Sequence, residues 1–328
     1  MKKYWYLIWL FCCLCCAAFS FNYLPQTEIT NGIIRTTLYL PNSNKGYYRG
    51  TRFDWSGAFK SLEYKEHNYI GQWFENYNPQ THDAITGPVE EFTAIGYEEA
   101  KVGENFLKIG VGTLRKPMEK QYDFSNIYEI TNTGKWTVKN RPDQVMFVHE
   151  LTDAMGYAYI YRKVVRLTKG KPELVLEHSL KNTGQKIIKT SVYNHNFFMI
   201  DNVPTGPDIQ VQFPFEVSAS GLNFGSIAKT ENKKIIYSRE LNKEEHVFSS
   251  GLQGFTNKVE EYDIRIENIK TGAGVRITSD QPIVKMVYWA SSTTSCPEPY
   301  IQLRAEPGQE VKWKISYEFY TVPTATVK

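Results

Sequence analysis

The chain has 328 residues, a formal charge of +3 and an aromatic content of 14%, including 22 tyrosines and 18 phenylalanines. That charge is small for the length and no Lys/Arg stripe stands out, which argues against nucleic acid as a partner. The aromatic surplus suits a packed core, and it also suits sugar binding, where pyranose faces lie on aromatic rings while hydroxyls meet polar groups.

The N-terminus opens with Lys2 and Lys3, followed by an apolar run from Tyr4 to Phe19 and the small residues Ala17, Ala18 and Ser20. A short basic start, a brief apolar stretch and small residues read as a secretory signal over residues 1–20; a spanning helix wants a longer run, about 20 residues. The mature chain then begins near Phe21 and is exported to the periplasm or the extracellular space, with no stable membrane span after signal removal. Four of the five cysteines (Cys12, Cys13, Cys15, Cys16) fall in the signal. Lipid anchoring at the outer surface of a membrane is therefore the alternative fate, although none of the four follows Gly, Ala or Ser. Cys296 alone remains, and a lone thiol makes neither an intramolecular disulfide nor a cysteine-rich metal cage.

Residues 41–100 are rich in Gly, Asn, Tyr and Trp with weak periodicity, the pattern of long functional loops. Strand signals dominate beyond them. Val145–Leu151 and Tyr157–Leu167 flank Asp153-Ala154-Met155-Gly156. Leu174, Leu176, His178 and Leu180 then alternate with Glu173, Glu177 and Ser179, and Asn182-Thr183-Gly184 separates that run from a strand predicted over Ile187–Ile200. Period-2 alternation on both sides of an Asn/Gly turn is a hairpin signature. Tyr262–Ile269 and Gly274–Thr278 form another such unit, and Val311–Tyr320 follows Pro307-Gly308 as a final strand. No long amphipathic helix stands out. The expected fold class is all-β, a large antiparallel β-sandwich with residues 21–328 as one domain.

No GxSxG elbow, Walker-type loop, HExxH or helix-opening GxGxxG is present, and the six histidines are scattered. Two segments hold the candidate chemistry. On a strand, His195 shares a face with Tyr193, Phe197 and Met199, while Asn194 and Asn196 face the other way. It is either a proton donor on the floor of an aromatic pocket or a core histidine satisfied by a hydrogen bond. Glu298 sits between Pro297 and Pro299, which fix the backbone and argue against regular ladder pairing. It is either a positioned base or a solvated loop glutamate.

Taken together and in order, these elements resemble galactose-mutarotase-like proteins, the aldose 1-epimerases. Asn194-His195-Asn196-Phe197-Phe198 is similar to the family's Asn-His-x-x-Phe strand, with Leu180–Asn182 and Gly184 as its lead-in. Glu298-Pro299 resembles the glutamate segment, followed by Pro307-Gly308-Gln309 and the Tyr317-Glu318-Phe319 strand. The resemblance spans residues 30–320. It implies a galactose mutarotase-like supersandwich and a cofactor-free acid–base mechanism acting on a monosaccharide or the end of a glycan. Glu298 would take the proton of the anomeric hydroxyl while a protonated His195 donates to the ring oxygen. The nearby carboxylate is expected to keep the imidazole charged near neutrality.

The family's Arg-bearing loop is matched by Tyr47-Tyr48-Arg49-Gly50-Thr51-Arg52-Phe53-Asp54-Trp55. Arg52 would hold a hydroxyl or carboxylate with Trp55 as a stacking face; the alternative is an Arg52–Asp54 surface pair beside a buried Trp. The family's Leu-His-Gly-Gly element, which supplies a second sugar-touching histidine, is missing. His82 falls in a comparable place and is either its substitute or a surface histidine. Glu91 either binds sugar hydroxyls or faces water, and Trp73 reads as packing. A catalytically silent carbohydrate-binding sandwich explains the same aromatic loops, and an accessory protein to a lyase or hydrolase is a third reading. No sequence signal bears on oligomeric state.

Overall fold

The computed structural model describes residues 24–323, so the signal expected over residues 1–20 lies outside the described residues. No α-helix occurs among the described residues, and none is therefore long and apolar enough to cross a membrane. The expected antiparallel β-sandwich is what the chain forms. One sheet has ten strands, in the order Ala228–Glu231, Lys234–Tyr237, Ile209–Gln212, Asp263–Asn268, Ala273–Ser279, Glu310–Thr321, Glu173–Asn182, Tyr157–Leu167, Gln144–Ala154 and Lys135–Arg141. A second has five: Val247–Ser249, Lys285–Ala290, Ser295–Ala305, Ile188–Phe197 and Gly87–Phe92. Neighbours in both are antiparallel. Smaller sheets of four strands (Gln26–Asn68 region) and three strands (Asn105–Asn132 region) flank them.

Local chemistry explains the hairpins. Gln144–Ala154 and Tyr157–Leu167 are joined through Met155 and Gly156, both at positive φ (58° and 84°). Two left-handed residues make a type I′ turn, whose twist matches that of the strands it joins. Along Glu173–Asn182 the predicted alternation is realised, with Leu174, Leu176 and Leu180 fully buried and Lys181 exposed. Each such side chain contributes on the order of 1.5–3 kcal/mol through burial.

The five-stranded sheet is covered on both faces, and this places the site. On one face Val192, Ile301, Leu303, Met286 and Tyr288 join the main core shared with the ten-stranded sheet. On the other, Val89, Phe197 and Cys296 join a second apolar cluster with Tyr47, Tyr48, Phe53, Trp55, Ile85, Phe106 and Tyr128. The segment around residues 41–100, read as loops, is indeed mostly irregular, and it is packed down as a lid of aromatics on the second face. Side chains of one strand therefore alternate between the inter-sheet core and a roofed cavity.

Candidate active site

Three rows of side chains cross the roofed face of the five-stranded sheet. Lys285, Tyr300, Tyr193 and Glu91 are consecutive cross-strand partners. Two residues further along each strand come Val287, Glu298, His195 and Val89, and then Trp289, Cys296, Phe197 and Gly87. Directly opposed residues carry Cβ atoms about 4.5–5.5 Å apart, close enough for side chains to touch. His195 Nε2 and Glu298 Oε1 do so at 3.1 Å, and both residues are 4% exposed.

The prolines that bracket Glu298 do not make it a connection. Ser295–Ala305 is a strand within the sheet, and Pro297 and Pro299 pair in register with Tyr288 and Met286. On the other side, pairing with Ile188–Phe197 stops at Tyr193–Tyr300, one residue short of Pro299. A proline has no N–H to give to a ladder, so the pairing opens there. Asn196 Nδ2 spans the gap to the Pro297 carbonyl at 2.8 Å, while its oxygen accepts from Tyr317 at 3.1 Å. The expectation of lost pairing thus holds on one side of the strand, at the place where His195 meets Glu298. The solvated loop glutamate is ruled out by burial.

The cavity above this pair has a volume of about 300 Å³ and is lined by residues that include Arg52, Asp83, Glu91, Tyr193, His195 and Glu298. That is the lower end of the range of about 300–1,000 Å³ for small-molecule sites. A larger depression of about 760 Å³, along Gln210, Gln212, Lys234 and Arg265, lies on the far part of the ten-stranded sheet and contains no comparable acid–base pair. Among the described residues no group of three or more His, Cys, Asp and Glu side chains is placed to hold a metal ion.

Burial pushes the Glu298 carboxyl up to about 8, aided by Glu91 and Asp83 and opposed by Arg52. Burial also holds His195 well below its ordinary value, aided by Arg52 and opposed by Asp83. Its Nδ1 is buried with no partner among the described residues, so no second acceptor stabilises an imidazolium. The imidazole packs face to face on Phe197 at 3.7 Å and edge-on to Phe53 and Trp289. The expectation of a charged histidine at neutrality is therefore corrected: desolvation, with the Arg52 charge, outweighs the attraction of Asp83. Both shifts favour the uncharged forms near neutrality, a protonated Glu298 carboxyl beside a neutral His195 imidazole.

Arg52 anchors the polar end of the cavity. Its Nε donates to Glu91 Oε2 at 2.7 Å, its Nη1 to Asp83, and its Nη2 to Tyr193 Oη at 3.0 Å. Its guanidinium lies over Phe124 at 4.1 Å and Phe53 at 4.6 Å. The expected Arg52–Asp54 pair does not form; Asp54 accepts instead from Ser56 and from Tyr161 at 3.0 Å. Glu91 also accepts from Tyr193 at 2.5 Å and from Lys108 at 3.3 Å. Burial opposes its ionisation, but Lys108 and Arg52 outweigh this and hold it below the ordinary carboxylate value.

His195, Glu298, Arg52 and Glu91 are thus brought together, and the two remaining candidates are not. Trp55 is buried in the second apolar cluster, with Nε1 donating to the Gly50 carbonyl at 2.8 Å, and it presents no face to the cavity. His82 directs Nε2 to Asp83 Oδ2 at 2.9 Å and stands behind that carboxylate, outside the cavity wall. Trp73 packs, stacked on Phe197 at 4.8 Å. Sequence reasoning missed Asp83, Phe124, Tyr300 and the strand Lys285–Ala290. The alternation of Lys285, Val287 and Trp289 with Met286, Tyr288 and Ala290 was the available signal for that strand.

At the level of sequence the chain matches no protein-family model and no curated protein. Solved structures are similar to it in fold. A galactose mutarotase-like protein from Clostridium acetobutylicum superposes with a TM-score of 0.54 at 13% identity, over 91% of this chain and 99% of that one. A galactose mutarotase related enzyme from Lactobacillus acidophilus gives 0.53 at 14% identity, over 92% and 99%. An aldose epimerase homologue from C. elegans gives 0.50 at 14% identity, over 92% and 100%. At these identities the likeness establishes the fold, a galactose mutarotase-like β-sandwich.

Proposed function

We propose that this protein interconverts the anomers of a free sugar by acid–base ring opening, as an aldose 1-epimerase does. The observation that carries the reading is the His195–Glu298 contact of 3.1 Å on the floor of a cavity of pyranose scale. The anomeric hydroxyl and the ring oxygen of an aldose are attached to the same carbon. A base for one and an acid for the other must therefore stand side by side, as two opposed residues of neighbouring strands do.

The chemistry balances within the pair. One member takes the hydroxyl proton as the bond from the anomeric carbon to the ring oxygen breaks, and the other delivers a proton to that oxygen. The open aldehyde rotates about its bond to the next carbon, and the reverse transfers close the ring on the opposite face. The proton count of the pair is unchanged throughout, so the reactive form holds one proton. In the catalytic arrangement Glu298 is the carboxylate base and His195 the imidazolium acid. Reaching it from the resting form requires only a proton transfer across their 3.1 Å contact, which a sugar oxygen accepting from His195 favours. Each transfer supplies about 10²–10⁴-fold. Arg52, Glu91 and Tyr193 form a fixed polar wall to which hydroxyls bind without reorganisation. An exported protein with this activity fits the expected signal.

A carbohydrate-binding sandwich without catalysis is favoured by one observation, that His82 lies outside the cavity and leaves the second sugar-touching histidine without a counterpart. Polarimetry of freshly dissolved α-glucose and α-galactose separates the two. Wild type should equilibrate either sugar faster than buffer, and His195→Ala and Glu298→Gln should abolish the acceleration. Activity that survives both substitutions refutes the mechanism; sugar binding without acceleration supports the rival.

A further inference from the structure

We propose that an apolar strip running out of the cavity over Trp289, Phe248 and Leu222 is a second sugar-binding subsite. The substrate is then the reducing end of a neutral oligosaccharide, with its penultimate unit lying on the strip. This rests on the anomerisation reading for the unit in the cavity.

Three observations carry it. First, Val247–Ser249 is the edge strand of the five-stranded sheet, and Phe248 pairs directly with Trp289. Phe248 therefore projects to the same side as the reactive pair while Val247 and Ser249 are buried on the other. Leu222 is bridged to Phe248 in turn, which puts it next in the same line. Second, the outer two members are left in water, Phe248 40% and Leu222 56% exposed. Single exposed apolar residues are ordinary, but a contiguous line that begins inside a reactive cavity marks a binding surface. Third, Trp289 and Phe248 line the cavity whereas Leu222 lies beyond it, and the cavity itself is of the size for one small ligand. A longer substrate has to leave along some wall. At the opposite wall the exposed ring of Phe124 already carries the Arg52 guanidinium on its face, and Arg52 is tied to two carboxylates.

The chemistry of the strip selects its occupant. A pyranose presents C–H bonds on its faces and hydroxyls at its rim, so it lies flat on an aromatic ring with its hydroxyls in water. Phe248 offers such a ring and Leu222 supplies further apolar surface, while Trp289, stacked against His246, bounds the strip at its cavity end.

The test compares kcat/KM for anomer exchange of glucose with that of maltose and cellobiose by exchange NMR. A disaccharide should be preferred by between about two- and tenfold, the scale of one aromatic contact. Phe248→Ala and Leu222→Ser, each verified as folded by thermal melting, should reduce that ratio towards one. No disaccharide preference in wild type, or a ratio unmoved by both substitutions, overturns the proposal. If no sugar is anomerised, the function reading fails and binding decides the strip: maltose should broaden more than glucose in ligand-observed NMR, and lose that advantage in both variants. Equal or absent binding of the two sugars then overturns the subsite as well.

Discussion

Replacing Glu298 by Gln should stabilise the fold, and increasingly so as pH rises. Burial moves this carboxyl from 4.5 to about 8. A group whose folded pKa is raised is harmless below its unfolded value, and destabilises progressively as pH climbs from there to the folded value. At about 1.4 kcal/mol per tenfold, the cost is on the order of 3 kcal/mol at neutral pH and about 5 kcal/mol above pH 8. A glutamine amide has the same shape, keeps the contact with His195 Nε2 and never ionises. For a chain of this size each kcal/mol is worth roughly 2 °C, so the variant should melt about 5 °C higher at neutral pH. Scanning calorimetry of both proteins near pH 5 and near pH 8.5 makes the comparison. The gap should be small at the lower pH and wide at the higher. A gap that does not change with pH, or a variant less stable at pH 8.5, refutes the argument that burial sets the state of this pair.

Further outcomes follow from the same geometry. Anomerisation should be bell-shaped in pH: kcat/KM falls above about 8, when the pair loses its only proton, and falls again only well below 6.5, when His195 gains a second. Glu90→Gln should cost about 3–5 kcal/mol in urea unfolding. Glu90 is the buried partner of Lys163, accepts from Asn194 at 3.0 Å and is hydrogen-bonded to His178 at 2.9 Å, so its loss takes the buried carboxylate from all three and leaves Lys163 Nζ with the Ser56 carbonyl at 2.9 Å. Those partners outweigh burial and hold Glu90 down to about 2, so its contribution is present above the ordinary carboxylate range and is lost as pH falls towards 2. Trp55→Phe should lower stability by about 1 kcal/mol through the lost bond to Gly50, with KM unchanged, whereas Arg52→Met should raise KM sharply; equal effects on KM would contradict the placement of Trp55 outside the cavity.

The parts of this arrangement that were legible in the sequence are those governed by local periodicity. Alternation put Tyr193, His195, Phe197 and Met199 on one face of a strand expected over Ile187–Ile200; the structure keeps the first three there, but the strand ends at Phe197, before Met199. The Asp153–Gly156 turn and the closing strand were likewise visible. Pairings between distant segments were not. Asp83 and Glu91 meet Arg52 only because the 41–100 loops fold over the sheet, and nothing in their spacing encodes that closure. Glu90 and Glu91, adjacent in sequence, point into the inter-sheet core and into the cavity respectively, each with its own lysine: Lys163 and Lys108. Buried charge of this kind is invisible to a rule that places charged residues on the surface. Pro297 and Pro299 were read correctly for what they remove and incorrectly for where they sit. Loss of an N–H opens one ladder without evicting the strand from the sheet.

The central claim, that His195 and Glu298 act as one proton-holding pair on a sugar, is tested most directly by two-dimensional exchange NMR on an equilibrated mixture of sugar anomers. Wild-type protein should produce exchange cross-peaks between the α and β anomeric signals well above buffer. His195→Ala, Glu298→Gln and the double variant should each reduce them to the buffer level, with no further loss in the double. Exchange retained in either single variant would contradict the account.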